Sequence, residues 1–345
     1  MTTVSRTIKR GAILAGFVLA GALVRRNRRP SGSGFKGKVV FITGSSRGLG
    51  LALAEEFLHC GARVVISARN PQELAEAHIQ LQQLTSLAEG AAVMQVVCDV
   101  TDSSSVQAAL ELAHSTFGPI DVLVNNAGIM AVAPLLNQSL ERFEEAMDTN
   151  FFGALNCSLG VLPTMVAREN GTIINIASIG GLIAVPHMLP YTASKFALVG
   201  FSRGLHAEVK SKGVNVLTVC PWLMRTGSHL HATIGGNKNF EYGWFGAGAT
   251  LPLLSVPAQV AARQIVRAAA KGKSELLVSL WAVAAAKVGT GAPALTAAVL
   301  SLMNRILPAE RLDAGDGQIE GRDVRGPATV LPNALGRSAE LTWNQ

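Results

Sequence analysis

From Lys38 onward the chain alternates short apolar runs with stretches of helical periodicity, and that rhythm restricts the folds open to it. The runs are Val39–Thr43, Arg63–Ser67, Val93–Cys98, Asp121–Asn125, Thr172–Ala177 and Asn215–Val219, with a seventh at Glu275–Ser279. Most are apolar at successive positions and not merely at every second one. That marks strands covered on both faces, as in a parallel sheet. Helical stretches such as Gly50–Cys60, Gln72–Ala88 and Pro257–Lys271 separate them. A βαβα order of this kind predicts a doubly wound α/β fold, with about seven parallel strands and helices on both faces.

Charge is distributed unevenly. The net charge is +7, yet nine of the 30 basic residues lie within 1–38, where there is no acid. The remainder carries 21 basic against 23 acidic side chains. A folded body so close to neutral offers no basic face for nucleic acid, which is excluded as a partner. The four cysteines, Cys60, Cys98, Cys157 and Cys220, stand apart in apolar runs and read as small core residues. No metal is expected: no His, Cys, Asp or Glu cluster has ligand spacing, and His229 and His231, two apart, lack partners.

Residues 11–24 (GAILAGFVLAGALV) carry no charge and are flanked by Arg6, Lys9, Arg10 and by Arg25, Arg26, Arg28, Arg29. The stretch is shorter than the ~20 residues of an ordinary spanning helix. The arginines that follow it resist translocation. Residues 6–29 are therefore expected to anchor the chain on the cytoplasmic side of a membrane or to lie on anionic headgroups, with a frayed soluble extension as the alternative. Residues 1–37 read as this anchor and a PSGSG linker, residues 38–308 as one domain, and residues 309–345 as an extended tail.

The first strand runs into Thr43-Gly44-Ser45-Ser46-Arg47-Gly48-Leu49-Gly50 and then a helix. Glycines there allow a tight turn and close backbone approach to a pyrophosphate, which the following helix meets with its N-terminal N–H groups. The second strand ends in Ser67-Ala68-Arg69, with no acid to bind an adenosine ribose. Arg69 and Arg47 instead suit a 2′-phosphate. The cofactor expected is NADP(H), with NAD(H) the alternative.

At this point the sequence resembles the short-chain dehydrogenase/reductase family, in its compact single-domain branch with a Rossmann-type sheet. The resemblance covers roughly residues 38–226. Its motifs arrive in family order: TGSSRGLG at 43–50, Asp99, NNAG at 125–128, Asn150, Ser178, YTASK at 191–195 and Pro221. It implies that Gly44, Ser46, Arg47, Gly48, Leu49 and Gly50 hold the diphosphate. Asp99 would contact the adenine amine, with Val100 beside it, and Asn126, Ala127 and Gly128 would pack near the adenosine ribose. Pro221 and Thr226 would lie at the nicotinamide end. The chain departs from the family in having Trp222 where a glycine usually follows that proline.

Tyr191 and Lys195 are four apart and share a helix face. A phenol titrates near 10, too high for a base at neutrality, and an adjacent ammonium lowers it. The resemblance assigns Tyr191 as acid/base and Lys195 as its cationic neighbour and ribose ligand. Ser178 would hold the substrate oxygen, and Asn150 would prop a water behind the lysine. The implied activity is an oxidoreductase, a ketoreductase or dehydrogenase, interconverting a carbonyl and a CH–OH group. Isomerase or epimerase chemistry with transient use of the cofactor, an NAD-dependent alcohol dehydrogenase, and a non-catalytic NADP(H)-binding regulator stay as alternatives. A homodimer or homotetramer is expected by the same likeness.

Residues 223–257 break the rhythm and are rich in glycine and aromatics. They are expected to form a long irregular lid over a lipophilic substrate. Phe240, Tyr242, Trp244 and Phe245 would either line its pocket or pack beneath it. Residues 281–303 are apolar but interrupted by Lys287, Gly289, Gly291 and Pro293. They read as an extra helical pair that covers the pocket or touches a bilayer.

Overall fold

The computed structural model describes residues 34–252, 254–310 and 317–343; the predicted anchor lies outside these. Seven parallel strands form the central sheet: β1 (Val39–Thr43), β2 (Arg63–Ala68), β3 (Ala92–Val97), β4 (Val122–Asn125), β5 (Gly171–Ile176), β6 (Val214–Pro221) and β7 (Glu275–Val278). Their order is β7-β6-β5-β4-β1-β2-β3, so the chain reverses direction across the sheet between β1 and β4. All seven expected strands are present, shifted by at most two residues at either end.

The uninterrupted apolar runs serve two cores at once. Val40, Ile42, Val64, Ile66, Val122 and Val124 point to one face, where they meet Leu51, Phe57 and Ile265. Val39, Phe41, Val65, Leu123 and Ile173 point to the other, where they meet Leu110, Cys157, Val161 and Met165. The first face is covered by α1 (Gly48–His59), α2 (Pro71–Gln82) and α8 (Ala258–Ala270), the second by α3 (Ser103–Phe117) and α5 (Gly153–Ala167). The alternation of side chains in a strand makes this possible. A polar thread crosses β4, β5 and β6: Asn125 donates to Asn175, Asn175 to Ser202, and Ser202 bonds Thr218, at 2.8, 2.9 and 2.7 Å. Buried amides this specific in their partners disfavour slippage of the strands.

Three further helices lie on the site side: α4 (Leu140–Met147), α6 (Leu189–Val209) and α7 (Lys238–Thr250). A single π turn at Asp148–Phe152 joins α4 to α5. The 28 residues of Leu140–Ala167 are long and apolar enough to cross a membrane, but α5 seats Cys157, Val161 and Met165 in the core. The chain closes with α9 (Leu280–Gly291), α10 (Pro293–Ile306) and α11 (Val330–Thr342).

Three expectations are corrected. The helix anticipated over Gln72–Ala88 ends at Gln82, and a separate turn occupies Thr85–Leu87. The expected lid loop contains a 13-residue helix, α7, whose glycines admit another part of the chain. A Cβ at Gly243 would lie 2.8 Å from Ala328 Cβ, and one at Gly246 would lie 2.8 Å from Pro332 Cβ. The expected extended tail is helical at α11, against α7, and buries Trp343. Its local composition is that of a loop; its apolar contacts with α7 and with the main core hold the helix in place.

Candidate active site

Where the sheet order reverses, the C-terminal ends of the strands leave a cavity of about 980 Å³. Open α/β sheets bind ligands at such switch points. The loop after β1 forms its floor. Gly44 has φ +60°, a conformation L side chains rarely adopt, and a Cβ there would lie 2.7 Å from Ala127 Cα. A Cβ on Gly50 would overlap the Gly44 carbonyl oxygen. Asn126 ties the β4 loop to this turn, donating from Nδ2 to the carbonyls of Thr43 (3.0 Å) and Gly44 (2.8 Å). Thr43 Oγ1 accepts from the Asn126 and Ala127 amides at 3.0 Å each.

Of the residues expected to hold a cofactor, Gly44, Ser46, Arg47, Gly48 and Leu49 line the cavity along the first loop. Arg69, Asp99 and Val100 line it beyond β2 and β3. Asn126, Ala127, Gly128, Tyr191, Lys195 and Thr226 close the other end. Gly50 and Pro221 do not line it: Gly50 sits behind the turn, and Pro221 ends β6 in the buried sheet. The Arg47 guanidinium is paired with Glu73 at 2.5 Å, while Arg69 is exposed at the end of β2. Asp99 accepts from the amide and hydroxyl of Thr101 (3.0 and 2.8 Å), which orients its carboxylate. The Gly48 amide donates to the Trp343 carbonyl at 2.9 Å, so the C-terminal segment is tied to the glycine loop.

Ser178 and Tyr191 are brought together at the end of β5. Ser178 Oγ accepts from the Gly180 amide at 3.0 Å, and a Cβ on Gly180 would wedge between the two side chains, 3.4 Å from Ser178 Oγ and 3.3 Å from Tyr191 Cε1. Lys195, one turn along α6, is buried and donates from Nζ to the Ile176 carbonyl at 2.9 Å. Its ammonium lies 5.7 Å from the centre of the tyrosine ring. Burial pulls the lysine down to about 8. Burial also pushes the Tyr191 phenol up from its ordinary value, against the pull of the neighbouring Ser178 hydroxyl.

Asn150 lies in the π turn between α4 and α5, an irregularity that recurs at functional sites. Its amide grips the Ile129 peptide from both sides, accepting from N–H (2.8 Å) and donating to C=O (3.1 Å). It also donates to Ser194 Oγ at 2.8 Å, which in turn donates to the Tyr191 carbonyl at 2.8 Å. Asn150 therefore braces the backbone beside Lys195: a Cβ on Gly128 would meet Asn150 Oδ1 at 2.9 Å and Lys195 Nζ at 3.5 Å.

The sequence reading missed several residues around this site. Ser194 carried no signal, because a serine inside a helix is ordinary. His231, Glu320 and Arg322 also line the cavity. Arg322 donates to Glu320 and to His231 Nδ1, both at 2.6 Å. They arrive from segments far along the chain, which no local pattern connects to the glycine loop. The aromatics of 240–245 do not line the cavity. Tyr242 and Phe245 are buried under α7, where the Tyr242 hydroxyl donates to Asn333 at 2.6 Å, and Trp244 donates to Glu241 at 2.8 Å. The indole nitrogen of Trp222 is buried without a hydrogen-bond partner.

Similarities to known proteins agree with this arrangement. A profile of the short chain dehydrogenase family matches residues 38–233. The chain is 34% identical over 204 residues to a dehydrogenase/reductase SDR family protein 7-like of Anopheles gambiae, a match taking in 59% of this chain and 64% of that one. It is 37% identical over 194 residues to a fatty acyl-CoA reductase of Acinetobacter baylyi, taking in 55% and 64%. The matched regions thus span less than two thirds of either relative. Among solved structures, L-sorbose reductase from Gluconobacter frateurii, complexed with NADPH and L-sorbose, aligns with a TM-score of 0.62 at 28% identity, covering 71% of this chain and 95% of that one. The profile alone takes in more than half of the chain, so this protein belongs to the short-chain dehydrogenase family of oxidoreductases.

Proposed function

We propose that the chain is an NADP(H)-dependent oxidoreductase that interconverts a carbonyl and an alcohol, with Tyr191 as acid/base and a lipophilic molecule as substrate. One observation carries the reading: Tyr191 and Lys195 face the same cavity that the glycine loop floors. The residues present fit the cofactor. The turn at Gly44 excludes any side chain, β2 ends without an acid, and Arg69 is exposed beside the cavity.

When bound, NADPH supplies the hydride that adds to the carbonyl carbon. Ser178 orients the carbonyl oxygen by its hydroxyl. Tyr191 gives that oxygen its phenolic proton, so the product is the alcohol. Lys195, held by the Ile176 carbonyl, keeps a positive charge near the tyrosinate that remains, which then recovers a proton. In the oxidative direction the phenolate takes the hydroxyl proton. Asn150 holds the Ile129 loop that backs Lys195.

The lipophilic substrate is inferred from the apolar stretch at 11–24 and from the fatty acyl-CoA reductase relative. The same stretch and its arginines support attachment on the cytoplasmic side of a membrane. The test is a panel of carbonyls and alcohols with NADPH and NADH in parallel, read at the absorbance of the reduced nicotinamide. Consumption of NADPH with an aliphatic or polycyclic carbonyl is expected. Tight NADPH binding without turnover of any compound would favour the regulator, and equal use of NADH would overturn the cofactor preference.

A further inference from the structure

Helix α10 stands out on the surface. None of its 14 residues is buried. Leu295, Val299, Leu302 and Ile306 are 57, 54, 59 and 81% exposed. Their spacing of four, three and four places them along one side of the helix, where a water-facing helix carries polar residues. Helix α9 continues the apolar surface. Ala282 and Ala286 face the body, while Leu280, Trp281 and Val288 are exposed. The two helices meet at a bend of 117° around Ala292, forming a paddle. The paddle rests on the turn that follows Ser178: a Cβ on Gly289 would lie 2.7 Å from Ile183 Cγ1.

Charge identifies the occupant. Residues 276–309 contain two charged side chains, Lys287 and Arg305, both basic and both exposed, and no acid. A second copy laid on this face would bring basic residues together with no carboxylate from the segment to pair them. An anionic bilayer supplies both the apolar medium and the phosphates. The chain outside the described residues has the same chemistry, since residues 11–24 are uncharged and bracketed by arginine and lysine.

We infer that the α9–α10 paddle docks on an anionic phospholipid surface, inserting the Leu295–Ile306 stripe at the headgroup boundary with Lys287 and Arg305 on the phosphates. Docking there sets the Ser178–Tyr191 end of the cavity beside the lipid; this last clause rests on the proposed oxidoreductase reading, whereas the docking does not. Substrate that partitions into the bilayer then reaches the site without crossing bulk water.

The test uses the full chain with vesicles of phosphatidylcholine and phosphatidylglycerol whose acyl chains carry bromine. The difference in tryptophan quenching between the wild type and Trp281→Phe isolates Trp281. Quenching of Trp281 is expected. It should be lost when Leu295, Val299, Leu302 and Ile306 are all changed to Gln, even if residues 6–29 keep the protein on the vesicle. Lys287→Glu with Arg305→Glu should weaken it by at least about tenfold on anionic vesicles and leave it unaltered on phosphatidylcholine alone. Because no α10 residue is buried, the Gln variant should retain wild-type thermal unfolding. Vesicle-bound wild type with unquenched Trp281 overturns the inference. So does a Gln variant that keeps its quenching but falls from dimer to monomer. NADPH consumption with a water-soluble carbonyl, measured without vesicles, reports the enzymatic reading separately.

Discussion

The half of the molecule that ends with β6 and the half that follows it are built on different logic. In the first, the main parts of the cavity come from short local patterns: a strand, a glycine turn and a helix, then a loop with Asn126, then a helix with Tyr191 and Lys195. In the second, the features come from contacts between distant segments. Helix α7 closes on residues 328–332 through glycines, and Trp343 returns to the Gly48 amide. The difference teaches that a catalytic framework can be written locally while the walls around it are written at long range.

The sharpest test of the local half is Tyr191→Phe. It removes the one hydroxyl assigned as acid/base and leaves the ring in place at the cavity. Turnover should fall by about 100- to 10,000-fold while NADPH affinity, measured by fluorescence titration, stays within about twofold. Retained turnover would break the assignment of the acid/base and with it the contrast between the halves.

Trp343→Ala tests the long-range half. The indole is 4% exposed and packs into the same core as Leu49. Its loss should cost about 3–5 kcal/mol in thermal unfolding, in line with large-to-small changes in cores. Because the neighbouring backbone reaches Gly48, NADPH affinity should drop as well, with kcat changing little. A cost confined to stability would uncouple the C-terminal segment from the cofactor loop.

Arg69→Ala should raise KM for NADPH by about tenfold and leave KM for NADH unaltered, the expected loss of one charge-assisted contact. Arg47 is a weaker test of this kind, since Glu73 already holds its guanidinium.

Two pH effects are the smallest. Lys195 titrates near 8, so carbonyl reduction should decline as pH rises through that value and the ammonium is lost. In the second half, burial holds His229 down to about 4, and burial with the nearby Arg47 and Arg322 holds His231 to about 3. Unfolded histidines take up protons near 6.5, before the folded ones do. Stability is therefore full above that value and falls as pH drops towards 4. His229→Gln should flatten this limb of a thermal-unfolding profile by removing one of the two rings.

The sequence alone determined the parallel sheet, the glycine turn and the shared face of Tyr191 and Lys195, because each depends on residues within a few positions of one another. Strand burial shows as unbroken apolar runs, and a four-residue spacing on a helix fixes a side-chain pair without help from elsewhere. Tertiary structure decided the rest. Gly243 and Gly246 look like loop residues until Ala328 and Pro332 are laid against them, and Glu320 and Arg322 reach the cavity only through the folded C-terminal segment. The raised tyrosine belongs to the same class. The cost of stripping water from a phenol depends on everything that surrounds it, and no spacing along the chain records that.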